Sequence, residues 1–169
     1  MQSDRTIQII DTFKAKLYRY AMSILGKPMD AEDVIQELMI RVWNQKEKFV
    51  ALNNPEAWCM TVTRNLAIDK LRSRKNATGD ISQYHFLQDN TPSADRLLST
   101  NDIYVKVLQM MDMLPAFQKE VIQLRDIEGY SYKEIAEITG TGEEQVKINL
   151  FRARQKLKER LKYLKSTLN

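Results

Sequence analysis

The spacing of the apolar residues limits this chain more than any other feature. At Ala31, Val34, Ile35, Leu38, Met39, Val42 and Trp43 they recur every three or four positions. That spacing gathers them on one stripe of a helix, whereas a strand would need every second residue. The same period returns at Trp58, Val62, Leu66 and Ile68, and again at Ile103, Val107, Met110, Met111 and Leu114. With only 5 glycines and 4 prolines there is little material for turn-rich β structure. An all-α fold follows.

Punctuation then divides the helices. A first helix is expected from about Ile7 to Leu25, stopped by Gly26-Lys27-Pro28. Asp30 reads as the N-cap of the second, with acids suited to the positive end of its dipole. Asn53-Asn54-Pro55 introduces a third helix running to about Arg74. These three make one bundle over residues 1–76, with Trp43 and Trp58 read as core. The stretch 76–100 breaks the pattern with Gly79, Pro92, acids and several Asn, Ser and Thr. A structureless run of that length is unusual inside a compact domain. We therefore expect a flexible linker at 77–97 and a second domain at 98–169. Tyr84, His85, Phe86 and Leu87 could pin the linker to a surface, and His85 reads as a polar linker residue rather than a ligand.

In the second domain Pro115 opens a helix carrying Val121, Ile122 and Leu124, closed by Gly129. Two capping boxes follow, Ser131-Tyr132-Lys133-Glu134 and Thr141-Gly142-Glu143-Glu144, each able to satisfy the first free N–H groups of a helix. Thr139-Gly140-Thr141 between them is short enough to force two tightly angled helices, the spacing of a helix-turn-helix. Ala136 stands at their close approach. Val146, Leu150, Ala153 and Leu157 form the inward stripe of the second helix. Glu144, Gln145, Lys147, Ile148, Phe151, Arg152 and Gln155 face outward, where a recognition helix meets the major groove.

The net charge of +4 matters less than its distribution. Asp30, Glu32, Asp33 and Glu37 form an acidic cluster, while Arg64, Lys70, Arg72, Arg74 and Lys75 stand against Asp69 alone. The C-terminal stretch from Thr141 is also basic. Two basic segments either side of an acidic connector suggest two contacts with a polyanion. One histidine and one cysteine, Cys59, exclude a disulfide and a cysteine metal cluster within the chain. No nucleophile elbow, Walker loop or dinucleotide fingerprint is present, so an enzyme is not expected, nor a small-molecule substrate or cofactor. With no signal-peptide core and no run of about 20 apolar residues, a cytoplasmic protein, not membrane-embedded, is expected.

Particular strings go further. Asp30-Ala31-Glu32-Asp33-Val34-Ile35-Gln36-Glu37-Leu38-Met39 resembles the region 2.2 signature of extracytoplasmic-function (ECF, group IV) sigma factors of bacterial RNA polymerase. Pro55-Glu56-Ala57-Trp58 and the run Arg64–Arg72 are similar to their regions 2.3 and 2.4. Leu114-Pro115, Glu120-Val121, Gly129–Ala136, Val146-Lys147 and Arg152-Ala153-Arg154 are similar to their region 4. The order and the gap also match.

The resemblance implies a sigma factor that binds core polymerase, recognises −10 and −35 promoter elements and assists melting. Asp33, Gln36, Glu37 and Arg41 would meet the β′ clamp helices. Lys46, Lys48 and Phe49 from the preceding loop, with Arg64, Asn65, Lys70, Arg72, Arg74 and Lys75, would hold the single-stranded −10 element, which calls for cations and stacking surfaces. Gln145, Lys147, Ile148, Phe151, Arg152 and Gln155 would read the −35 duplex. The family also implies contact with the polymerase β flap, a linker threaded toward the active-site cleft, and an anti-sigma factor. Glu144, Gln145, Ile148 and Asn149 depart from the family's usual string, so no promoter sequence carries over. A conventional helix-turn-helix regulator binding duplex DNA without polymerase stays open as an alternative, as does a sigma-like decoy.

Overall fold

In a computed structural model of the chain, residues 2–77 and 102–167 are described. The expected linker, including His85, lies almost wholly outside them. Every regular element among the described residues is helical. The N-terminal unit comprises α1 (Gln2–Asp11), α2 (Lys14–Leu25), α3 (Pro28–Asn44), α4 (Lys46–Val50) and α5 (Pro55–Ala77). The C-terminal unit comprises α6 (Asp102–Asp112), α7 (Ala116–Ile122) with a π-helical turn at Gln123–Ile127, α8 (Tyr132–Thr139) and α9 (Glu143–Thr167).

The expected first helix is in fact two. Ile10, Phe13 and Leu17 would suit an unbroken helix, and all three are buried. Phe13 leaves helical geometry at φ −132°, its N–H turns back to Ile10 O, and the Thr12 hydroxyl bonds Ile9 O. The break lets α1 fold over α4, a tertiary demand that spacing alone does not carry. The bundle therefore has five helices rather than three. At the next start Lys27, not Asp30, is the N-cap and Pro28 is the first helical residue. This frees Asp30 to pair with Arg74 at 2.8 Å and Lys70 at 3.8 Å, tying the start of α3 to the end of α5. Gly26 closes α2 in the left-handed conformation at φ 69°, where a side chain would be strained.

α2, α3 and α5 pack on one another around Leu17, Tyr20, Leu38, Val42, Cys59 and Met60, all under 2% exposed. Trp43 departs from the core reading. It is 49% exposed, with the Lys46 ammonium 5.2 Å from its ring centroid. Trp58 is half-buried, edge-on to Phe49 at 5.9 Å. In the second unit α7 and α8 pack against α9. Ile103, expected on the inward stripe of α6, is exposed instead, while Met110, Met111 and Leu114 are buried. The two units also meet. α5 lies against α8 and α2 against the π-helical turn, so a single apolar cluster runs through both.

Candidate nucleic-acid interface and polymerase-facing surface

Three surfaces carry the polar groups picked out from sequence. The first is α9 with the turn before it. The Ser131 capping box forms in full: Glu134 N–H donates to Ser131 Oγ at 3.1 Å and Ser131 N–H to Glu134 Oε2 at 2.8 Å. The second box does not. α9 begins at Glu143, so Thr141 stands one residue too early to cap it, and its hydroxyl lies 2.9 Å from that of Thr139. Gly140 turns the chain at φ 67°, and Thr141 N–H closes on Ala136 O, which fixes the angle between α8 and α9.

Val146, Leu150 and Ala153 are buried and Leu157 half-buried beneath α9. Gln145, Lys147, Ile148, Phe151, Arg152 and Gln155 are all exposed on its opposite side. Phe151 is 64% exposed and Ile148 40%. Arg154, on the flank, is anchored to Asp126 of the π-helical turn through two bonds of 3.1 and 2.5 Å, which raises its pKa. α8 and α9 thus present a helix with one sealed face and one open face of cationic, amide and apolar groups. That is the chemistry of duplex readout.

The second surface is the outer side of α3. Asp33, Gln36, Glu37 and Arg41 are exposed there together, while Val34, Ile35, Leu38 and Val42 are buried behind them. Glu37 and Arg41 form an i,i+4 pair at 3.2 Å, and Asp33 accepts from Lys70 at 3.1 Å. Ile40 and Trp43 add exposed apolar area beside this polar face.

The third surface is dispersed. Asn65 and Arg72 are exposed on α5, and Lys75 is half-buried. Lys70 and Arg74 are engaged with Asp30 or Asp33, and Arg74 also donates to Leu25 O at 3.3 Å. Lys46 and Lys48 lie on the short helix α4 rather than in a loop. Phe49, expected to offer a stacking face, is 1% exposed and belongs to the core between α1 and α5. Arg64 is turned toward the other unit: its Nε lies 2.5 Å from Glu120 Oε1 and its Nη2 3.2 Å from Glu120 Oε2. Burial opposes the Arg64 charge, but Glu120 outweighs it and the pKa is raised.

Sequence reasoning missed the residues that join the units. Tyr20 donates to Glu120 at 2.5 Å, Arg19 pairs with Glu128 at 2.7 Å, and Glu56 accepts from both Tyr130 at 2.6 Å and Lys16 at 3.1 Å. The one available signal was the polar stripe Lys16, Arg19, Tyr20 on α2. Its partners lie up to 109 residues away, beyond the reach of any local pattern.

A five-helix platform with an acidic outer face, joined to a helix-turn-helix unit with an open recognition helix, defines a helical DNA-reading protein of two parts. The family model for Sigma-70 region 2 matches residues 9–77, and that for Sigma-70, region 4 matches residues 104–157. The chain is 33% identical over 164 residues to the ECF RNA polymerase sigma factor SigL of Mycobacterium tuberculosis, covering 92% of this chain and 88% of that one. It is 29% identical to SigW of Bacillus subtilis, covering 95% and 91%. Among solved structures it is similar to the sigma factor RpoE in complex with the anti-sigma factor NepR from Bartonella quintana, with TM-score 0.71 and 28% identity over 92% of this chain and 95% of that one. The chain belongs to the ECF RNA polymerase sigma factors: it is a transcription initiation factor that directs RNA polymerase to promoter DNA. The conventional-regulator alternative is not favoured. No described helix is long and apolar enough to cross a membrane.

Proposed function

We propose that the sigma activity is divided among the three surfaces, with residues 1–76 and 98–169 as its two working domains. Asp33, Gln36, Glu37 and Arg41 on α3 dock on the β′ clamp helices. Asn65, Arg72, Arg74, Lys75, Lys70 and Arg64 on α5, with Lys46 and Lys48 on α4, engage the single-stranded −10 element. Gln145, Lys147, Ile148, Phe151, Arg152 and Gln155 on α9 read the −35 duplex. The observation that carries this division is the sidedness of α9, whose sealed face holds Val146, Leu150 and Ala153 while every α9 residue assigned to DNA stands in solvent. The apolar groove between α6 and α9, lined by Leu108, Met111, Ile122 and Leu157, is assigned to the β flap. Its shape suits an inserted helix. An anti-sigma partner and a cytoplasmic setting accompany this reading. It acts by binding alone, without a catalytic step.

The test is reconstitution of the purified chain with bacterial core RNA polymerase, followed by transcription from a genomic promoter library. New start sites sharing −10 and −35 elements are expected. Sequence-specific duplex binding by the chain with no polymerase association would overturn the division.

A further inference from the structure

Two carboxylates in the first half of α3 share one ammonium of α5. Asp30 and Asp33 lie 3.8 and 3.1 Å from Lys70 Nζ. Their surroundings differ. Asp30, its side chain 23% exposed, also holds Arg74 at 2.8 Å, and Arg74 donates to Leu25 O. Those bonds tie α2, α3 and α5 together, so that pair is structural. Asp33 has its side chain 59% exposed and opens onto the outer face of α3 with Gln36, Glu37 and Arg41. Glu37, by contrast, pairs along its own helix with Arg41, so its docking would leave α5 unchanged. Lys70 therefore joins two surfaces. Its helix carries the cations assigned to the −10 strand, and its nearer carboxylate belongs to the polymerase face.

One ammonium cannot serve a carboxylate and a phosphate equally well. With Asp33 beside it, Lys70 is partly neutralised, and a phosphate that approaches it also meets the Asp33 charge. Both effects weaken strand binding by the free chain. A basic partner that takes up the Asp33 carboxylate removes both. Lys70 then keeps Asp30, which leaves the fold intact, and turns its charge to the strand. A lysine suits this exchange, because its flexible stem carries a point charge with three rotatable donors.

We propose that the Asp33–Lys70 pair couples the two surfaces: docking of Asp33 on a basic polymerase surface releases Lys70 to the −10 strand. This rests on the assignment of Asp33 to polymerase and of Lys70 to single-stranded DNA. The coupling is reciprocal, so strand binding tightens the hold on polymerase by the same factor. An exposed ion pair sets that factor at about fivefold or less.

The experiment titrates the purified full chain into a fluorescein-labelled oligothymidylate of about 20 nucleotides, then measures its affinity for purified bacterial core RNA polymerase. Asp33→Asn should bind the oligonucleotide about two- to fivefold more tightly than wild type. The same variant should bind polymerase more weakly, with unchanged helical circular dichroism. Lys70→Gln should bind the oligonucleotide more weakly, and adding Asp33→Asn to it should bring no gain. Glu32→Gln, the same loss of charge one residue earlier on α3, should keep the wild-type oligonucleotide affinity. With the oligonucleotide present, wild type should hold polymerase more tightly, and Lys70→Gln should lose that gain. Unchanged or weaker oligonucleotide binding by Asp33→Asn would overturn the coupling, as would a gain that persists without Lys70 or that Glu32→Gln matches. The first titration contains no polymerase, so that failure is distinct from loss of the sigma reading, which would show as no polymerase binding by any form. If Asp33→Asn binds polymerase as tightly as wild type, the docking role of Asp33 falls and the coupling falls with it.

Discussion

Leaving Phe151 and Ile148 exposed forgoes burial that a packed helix face would gain, so a large aromatic standing open on a recognition helix asks for a partner. Beside them Arg152 is exposed and suited to phosphate or a guanine edge. Arg152→Ala should lower −35-dependent transcription about fivefold or more, for about 1–3 kcal/mol of lost contact, while thermal melting stays unchanged. A matched loss of melting temperature would place the residue in packing instead. Phe49 gives the opposite outcome. Phe49→Ala should cost about 3–5 kcal/mol of stability because it empties a core site between α1 and α5, read as a lower denaturant midpoint. Loss of promoter opening at full stability would restore it to the DNA surface. Both phenylalanines sit in basic stretches of sequence, yet Phe49 is buried on α4 and Phe151 stands on the open side of α9.

At the scale of elements, the Ser131 box holds α8 at its working angle, and Ser131→Ala should cost about 1 kcal/mol with a proportional fall in duplex binding by the C-terminal unit. Thr141→Ala should cost less, since its hydroxyl meets Thr139 rather than an orphan N–H of α9; equal losses at the two sites would show Thr141 to be a true cap. The pair marks the limit of what sequence can tell. Period and punctuation reveal helices α3, α5 and α7–α9, because each buries a stripe that its own spacing defines. They also reveal the outer face of α9, which is fixed by the same stripe. They do not reveal the break at Phe13 or the solvent position of Trp43. Those depend on how α1 meets α4 and on where α3 ends, and both are settled by packing between elements. The seam of Lys16, Arg19, Tyr20, Glu56, Glu120 and Glu128 is illegible for the same reason: each member makes an ordinary polar helix surface until its partner arrives from the other unit.

For the whole molecule, the seam sets how stability responds to alkali. Tyr20 is fully buried, and desolvation together with Glu120 raises its pKa well above 10.0, against a smaller opposing effect of Arg64. Tyr130 is raised too, by burial and by Glu56, with Glu128 and Glu134 adding to it. Burial, with Glu56 nearby, pushes the Cys59 thiol up to about 12 from 9.0. All three are held protonated in the fold and ionise at lower pH when the chain unfolds. Their contribution is therefore complete below the unfolded values and is lost as pH rises through them. Stability should be flat to about pH 8.5, fall first as unfolded Cys59 ionises, then fall more steeply above 10, by about 1.4 kcal/mol per pH unit for each group still protonated in the fold. Denaturant titrations from pH 8 to 11 measure this directly. Tyr20→Phe should lessen the slope above pH 10 and leave the earlier decline intact, whereas Cys59→Ala should remove the earlier decline and lessen the later slope as well. If the tyrosine variant keeps the full alkaline decline, Tyr20 ionises as freely in the fold as outside it, and its hydroxyl is not the buried donor to Glu120 that joins the two units.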